Sequence, residues 1–268
     1  MKIEKISILG GKGKNGKREA VREVVLEMGQ VMSIVGPTGS GKTELINDIE
    51  LFANGNTPSG RKILINNHPP SIELTGEPSN NPVALITQHT NFLSDLPVRK
   101  FLETHASVRH AEIIHSAIEK TLEFANQLTG EPINEDSAMT ELSGGQTRAL
   151  LIADAVVIGN APILLLDEIE NAGINRTRAI DLLKCYQKIF IFVTHDPRIA
   201  LFSDFRIVMK EGAMQRIIRT DAGEQKVAEE IRKFDDLLLD FRAKIRAGET
   251  LTEVELEKRL RALGYLTH

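Results

Sequence analysis

The segment Gly36-Pro37-Thr38-Gly39-Ser40-Gly41-Lys42-Thr43 constrains this chain more than any other feature. It fits G-x-x-x-x-G-K-[ST], a loop whose glycines let backbone N–H groups converge on phosphate oxygens. Gln30 to Val35, just before it, reads as a strand, and Glu44 to Phe52, just after it, reads as a helix. A helix N-terminus there adds its dipole to an anion site. In that setting Lys42 is expected to bridge the β- and γ-phosphates of a nucleotide, and the Thr43 hydroxyl to bind Mg2+.

The surrounding sequence supplies the sheet that such a loop needs. Ile3 to Leu9, Val21 to Met28, Ile63 to Ile65 and Val83 to Thr87 read as strands, and Pro69 to Pro82 as loop. Residues 91–158 change character, with helical spacing at Arg99 to His105, Ala111 to Leu128 and Ser143 to Ile158. The apolar runs Ile163 to Leu166 and Ile189 to Val193 read as buried parallel strands. Phe205 to Met209 and Met214 to Ile218 pair as a hairpin around Glu211-Gly212. Strands alternating with helices imply an α/β fold.

Composition narrows the class. Of 268 residues, 41% are hydrophobic and 26% charged, which suits a globular chain with a real core. Lys and Arg number 33 against 37 acidic residues, a net charge of −4, so no basic field argues for nucleic acid. The lone Cys185 excludes a disulfide framework or a multi-cysteine zinc site, and is expected to be a small buried hydrophobe. No apolar run approaches the roughly 20 residues of a membrane span. Met1-Lys-Ile-Glu-Lys5 lacks the apolar stretch of a signal peptide. A soluble protein of a reducing compartment, the cytoplasm, is expected.

Two further motifs follow in order. Leu166-Asp167-Glu168 ends an apolar strand with paired carboxylates. A strand ending beside a phosphate loop brings Asp167 to the Mg2+ shell and Glu168 to a water facing the γ-phosphate. Leu142-Ser143-Gly144-Gly145-Gln146 has the form of a capping box, with Ser143 and Gln146 three residues apart and glycine N–H donors open between them.

That pentapeptide, between Lys42 and Asp167, resembles the signature motif of ATP-binding cassette (ABC) ATPases. The resemblance spans residues 1–220 and rests on five ordered motifs. It implies a P-loop NTPase fold of ABC type: a mixed sheet core, a helical signature subdomain at about 91–158, and, outside the cassette, a C-terminal helical extension at 221–268. It places Gln88 at the Q-loop position, a sensor of Mg2+ and water, and His195 at the switch position that contacts the γ-phosphate. His195-Asp196-Pro197 also reads as a plain strand-to-helix turn. The resemblance further implies ATP hydrolysis by a head-to-tail dimer with a second cassette, expected to be another copy of this chain. Each ATP then lies between one chain's Lys42 loop and the other's Ser143 helix.

The chain departs from that pattern twice. Met1 to Gly36 contains no Phe, Tyr or Trp where the family stacks its adenine. The loop Gly10 to Arg18 lies there instead, so Arg18 or Lys17 is expected to flank the base, unless the loop is simply a solvated hairpin. After Glu168 comes Ile169-Glu-Asn-Ala-Gly-Ile174, with Ile174 where the family's D-loop carries aspartate. Two roles follow. The first is the nucleotide-binding subunit of a transporter, held at the inner face of the membrane through a membrane-spanning partner. The alternative is a soluble ABC ATPase that remodels a client protein, a cofactor enzyme or nucleic acid.

The extension carries Val227, Ile231, Phe234, Leu238, Phe241 and Ile245 at spacings of 4, 3, 4, 3 and 4, one apolar seam on a charged helix. The seam either docks a partner or lies back on the cassette, the second being favoured. Gly248 breaks the helix, and Thr252 with Glu255 predicts a capping box for a second one, closed by Gly264.

Overall fold

The computed structural model describes residues 2–76, 81–87, 89–92, 94–109, 114–129, 131–168 and 181–266. The chain divides into two compact units, Met1–Arg219 and Thr220–His268.

The strands of the first unit are β1 (Lys5–Leu9), β2 (Glu23–Glu27), β3 (Val31–Val35), β4 (Lys62–Ile65), β5 (Val83–Ile86), β6 (Ile163–Asp167), β7 (Ile189–Val193), β8 (Phe205–Lys210) and β9 (Ala213–Arg219). Its helices are α1 (Lys42–Glu50), α2 (Ile72–Gly76), α3 (Val98–Val108), α4 (Ile114–Leu128), α5 (Gly144–Val157) and α6 (Pro197–Phe202). One sheet has the order β2-β1-β4 and is antiparallel. The other has the order β5-β6-β7-β3-β8-β9, parallel except for β9. The short helix α2 lies inside the stretch read as loop. Its five residues are too few to set up a 3.6-residue apolar period.

The buried parallel strands explain why their sequences are apolar throughout. Along β6, Leu164 and Leu166 face one core and Ile163 and Leu165 the other. Along β7, Phe190 and Phe192 part from Ile189, Ile191 and Val193 in the same way. The first core is completed by α3, α4 and α5, the second by α1 and the antiparallel sheet. With both faces covered, period-two side chains have no solvated side.

Register brings the strand ends together. Ile86 of β5 lies beside Leu166, Asp167 beside Val193, and Ile34 of β3 beside Val193. The carboxyl ends of β3, β5, β6 and β7 therefore share one edge, where ligands bind in open parallel sheets.

A buried charge cluster ties the two sheets' connections to each other. Arg61, fully buried before β4, donates from Nη2 to Glu19 at 2.6 Å and to the Gly212 carbonyl at 2.7 Å. Its Nη1 donates to Asp48 of α1 at 2.8 Å. Glu19 also accepts from the amides of Gly11 at 2.7 Å and Met214 at 2.6 Å. Burial pulls the guanidinium down, and the hydrogen bonds and charges of Glu19 and Asp48 more than reverse it, so its pKa stands above the ordinary arginine value.

In the second unit, α7 (Ala222–Arg246) starts at Asp221, whose side chain accepts from the Glu224 amide, and α8 (Glu253–Ala262) starts at Thr252. The expected capping box is half made. Thr252 accepts from the Glu255 amide at 3.3 Å, but the Glu255 carboxylate pairs with Lys244 of α7. Arg259 with Asp240 at 2.7 Å, and Phe234 stacked on Tyr265 at 4.6 Å, also join the two segments. Of the six seam residues, Val227, Phe234, Leu238 and Ile245 are exposed and Ile231 and Phe241 half-buried. Cys185 is likewise exposed, its thiol donating to the Asp181 carbonyl at 3.4 Å, which corrects the buried assignment. It follows Leu183, which takes the inward position.

Two predictions follow from these buried charges. Arg61→Met strands Glu19 and Asp48 without their cation, and should lower unfolding free energy by about 3–5 kcal/mol in urea titrations. A loss under about 1 kcal/mol would show that the carboxylates find water instead. Lys188 is buried with its ammonium on Asn160 Oδ1 at 2.8 Å and the Ala161 carbonyl at 2.9 Å. Burial lowers its pKa from 10.5 to about 8. Between those values the unfolded chain holds the proton that the folded one has lost, so this group's contribution to stability rises with pH. The stability of the wild type relative to Lys188→Met should therefore increase from pH 7 to pH 10.5. A difference independent of pH would show that Lys188 titrates normally.

Candidate functional site

The loop between β3 and α1 is shaped by where its glycines sit. Gly41 has φ 97°, and a Cβ there would lie 2.7 Å from Gly212 Cα, so the residue before α1 must turn left-handed against the β8–β9 turn. Gly212 in turn donates its amide to the Ser40 carbonyl at 2.8 Å. Lys42 and Thr43 open α1, and the Lys42 ammonium donates to the carbonyls of Gly36 at 2.9 Å and Pro37 at 3.2 Å.

An open cleft of about 410 Å³ lies over this loop. Its lining brings Thr38, Gly39, Gly41, Lys42, Thr43 and Glu44 together with Asp167, Glu168 and Val193 from the strand ends. Asp167 and Glu168 are consecutive, so in a regular strand they would face opposite sides. Glu168 escapes that alternation by taking φ 50°, the left-handed region, while its amide still donates to the Val193 carbonyl at 3.0 Å. The kink accompanies the lining of one cleft by both residues, at a cost of order 1 kcal/mol for a non-glycine residue.

Oxygen donors from Thr43 and Asp167 are the type that suits Mg2+, which takes few protein ligands and completes its shell with water and phosphate. Among the described residues no group of three or more His, Cys, Asp or Glu could form an all-protein metal cage. Two such oxygen donors fit a cation whose remaining ligands are water and phosphate.

The remaining expected residues are placed as follows. His195, exposed, follows β7 two residues after Val193. Asp196 caps α6, accepting from the Arg198 amide at 2.9 Å, and Pro197 is its first residue, so the strand-to-helix turn is also real. Ser143 caps α5 in a complete box: its amide donates to Gln146 Oε1 at 3.0 Å, and its Oγ accepts from the Gln146 amide at 3.3 Å. Gln146 Nε2 also donates to the Pro132 carbonyl at 3.1 Å. Ser143 and Gly144 are exposed at this helix start, with Gly145 half-buried. None of Ser143, Gly144, Gly145 and Gln146 lines the Lys42 cleft. Gln88 and the segment Ile169 to Ile174 lie outside the described residues.

The profile of the family described as "ABC transporter" matches residues 22–171. The chain belongs to this family. It is 47% identical over 256 residues to an uncharacterized ABC transporter ATP-binding protein of Methanocaldococcus jannaschii, covering 96% of this chain and 98% of that one. It is 31% identical over 213 residues to a spermidine/putrescine import ATP-binding protein of Bacteroides fragilis, covering 75% of this chain and 44% of that protein. Among solved structures, it superposes on a subunit of a Clostridium perfringens ABC transporter complex with a TM-score of 0.61 at 22% identity, covering 92% of this chain and 100% of that one. It also superposes on a dimeric ATP-binding cassette bound to ADP and Pi, with a TM-score of 0.60 at 23% identity, covering 81% and 99%. These likenesses give the fold, and the family makes the protein an ABC ATPase, the nucleotide-binding component of its class.

The cassette also shows what its sequence did not single out. Lys14 lines the cleft, whereas the expected Lys17 and Arg18 do not. The cluster of Gly10, Gly11 and Gly13 marks the loop as special but says nothing of which cation it aims. The buried partners Glu19, Asp48 and Arg61 are scattered over the sequence and carry no local pattern.

Glycine adopts φ 50° without the steric cost that Glu168 bears. Glu168→Gly should therefore be about 1 kcal/mol more stable than Glu168→Gln in thermal unfolding. A less stable glycine variant would show that no strain is held there.

Proposed function

We propose that the Lys42 cleft binds Mg-ATP and hydrolyses it, with Lys42 on the β- and γ-phosphates and Glu168 as general base. The observation that supports this best is the cleft over the Lys42 loop, lined by Asp167 and by Glu168 at its backbone kink. Backbone N–H donors of the loop Gly36 to Gly41, all but that of Pro37, cradle the phosphates, with Thr38 and Ser40 in the same loop. Thr43, Asp167 and Gln88 would hold Mg2+, which when bound would supply charge neutralisation to the phosphates. Glu168 takes a proton from water as its oxygen attacks the γ-phosphorus, and the bond to the β-phosphate oxygen breaks. His195, at the same sheet edge, contacts the γ-phosphate.

The exposed α5 start cannot serve the cleft of its own chain, because none of its residues lines it. Ser143, Gly144, Gly145 and Gln146 therefore meet the γ-phosphate of a second cassette, most simply another copy. ATP closes the pair and hydrolysis releases it, so the output is motion delivered to a partner. The transport roles of the relatives support a membrane-spanning transporter subunit as that partner. No helix among the described residues is long and apolar enough to cross a membrane.

Glu168→Gln is the test. It should keep nucleotide binding, lose turnover by a factor of about 10² or more, and accumulate as an ATP-bound dimer on size exclusion. Recovered from native cells with Mg-ATP, it should bring down a membrane-spanning protein in stoichiometric yield. Normal hydrolysis by the variant would remove Glu168 as the base. A soluble client in the eluate would replace the transporter role.

A further inference from the structure

We propose that Lys14 is a second phosphate-binding cation of the nucleotide cleft, acting beside Lys42 on the polyphosphate chain. This rests on the nucleotide reading of that cleft.

Both ammonium groups rest on carbonyl oxygens of one loop. Lys42 Nζ is held by Gly36 and Pro37, and Lys14 Nζ donates to the Gly39 carbonyl at 2.9 Å. Lys14 lines the same cleft as Thr38, Lys42 and Thr43. A neutral carbonyl is a weaker acceptor for an ammonium than a phosphate oxygen, so each lysine gains by exchanging one for the other. Single-bonded as it is, the exposed Lys14 side chain can move to a phosphate with little loss.

The backbone under Lys14 is not that of a loose hairpin. The Lys14 amide donates to the Glu211 carbonyl at 2.8 Å, the Lys12 amide to the Ser59 carbonyl at 2.7 Å, and the Gly11 amide to the buried Glu19 carboxylate at 2.7 Å. A Cβ on Gly11 would lie 2.0 Å from the Ser59 carbonyl oxygen, so the loop is pressed against its neighbour. The Arg61 cluster thus anchors the base of the loop while the lysine at its tip reaches over the phosphate loop. Lys17 and Arg18 close the hairpin through their backbones: the Lys17 carbonyl accepts from the Gly13 amide, and Arg18 forms an antiparallel bridge with Lys12, while neither residue lines the cleft.

This arrangement also accounts for the lack of any aromatic ring between Met1 and Gly36. A nucleotide gripped by two lysines on its phosphates depends less on stacking of its base. Affinity should then follow the phosphates more than the base, with ATP and GTP weakened alike when Lys14 is lost.

The experiment is calorimetric titration of the full chain with ATP and with GTP at several salt concentrations, comparing wild type, Lys14→Gln and Lys42→Ala. Lys14 is exposed, so its variant should melt like wild type without nucleotide. Lys14→Gln should weaken both nucleotides by roughly tenfold, the scale of one charge-assisted hydrogen bond, and flatten the salt dependence of binding. Unchanged affinity overturns the inference, as does a loss that leaves the salt dependence intact or falls on one base alone. Lys42→Ala separates the two levels. If it binds ATP like wild type, the nucleotide reading of the cleft fails. If it loses ATP while Lys14→Gln does not, only the role of Lys14 falls.

Discussion

The fully buried guanidinium of Arg61 is the interaction on which the nucleotide-binding end of this cassette depends. Moving a charge out of water costs several kcal/mol, and an ion pair repays this only when its geometry and remaining hydrogen bonds are good. Here those conditions hold. Glu19 takes two guanidinium nitrogens, Asp48 a third donor, and the Gly212 carbonyl a fourth. The reward is positional. Four chain segments that share no ladder in common, the 10–19 loop, α1, the approach to β4 and the β8–β9 turn, are fixed to one planar group. The same β8–β9 turn then donates the Gly212 amide to Ser40 inside the phosphate loop.

From this anchor the parallel sheet builds the site. Strands in register end together, so the segments that follow β3, β6 and β7 meet at one edge without needing long-range design of their own. This is why the motif order along the sequence was so informative. The phosphate loop, the apolar run ending in Asp167 and Glu168, and the run before His195 each read as a strand followed by chemistry. In β6 and β7 burial on both faces left continuous apolar stretches bounded by turn residues. The capping box at Ser143 was legible for a similar local reason, since both its partners lie within four residues.

What could not be read is non-local or conformational. The box expected at Thr252 fails by half, because Lys244, eleven residues upstream, offers Glu255 a cation that the Thr252 amide cannot match. The seam of α7 shows the limit of periodicity: it reports which residues share a stripe, not what covers the stripe. The exposure of Cys185 has no sequence signal, because a small apolar side chain says little about which way a turn presents it; Leu183 takes the buried place. Lys14 could not be chosen among the cations of its loop, because the choice is made by Ser59 and Glu211, far away in sequence.

Glu168 gathers these threads. As a residue type in sequence, it could end a strand with its side chain on either face. The backbone decides the matter by leaving the β region at that single residue, so that Asp167 and Glu168 address one cleft instead of two sides of the sheet. Nothing about a glutamate announces a positive φ, and glycine would hold it more comfortably. A carboxylate kept there against local preference must be held by its surroundings, and the amide bond from Glu168 to Val193 supplies part of that hold. The bond also joins β6 to β7 beyond the end of the regular ladder, beside the turn that carries His195. The backbone of Glu168 and the turn that carries His195 are therefore positioned by the same pair of strand ends.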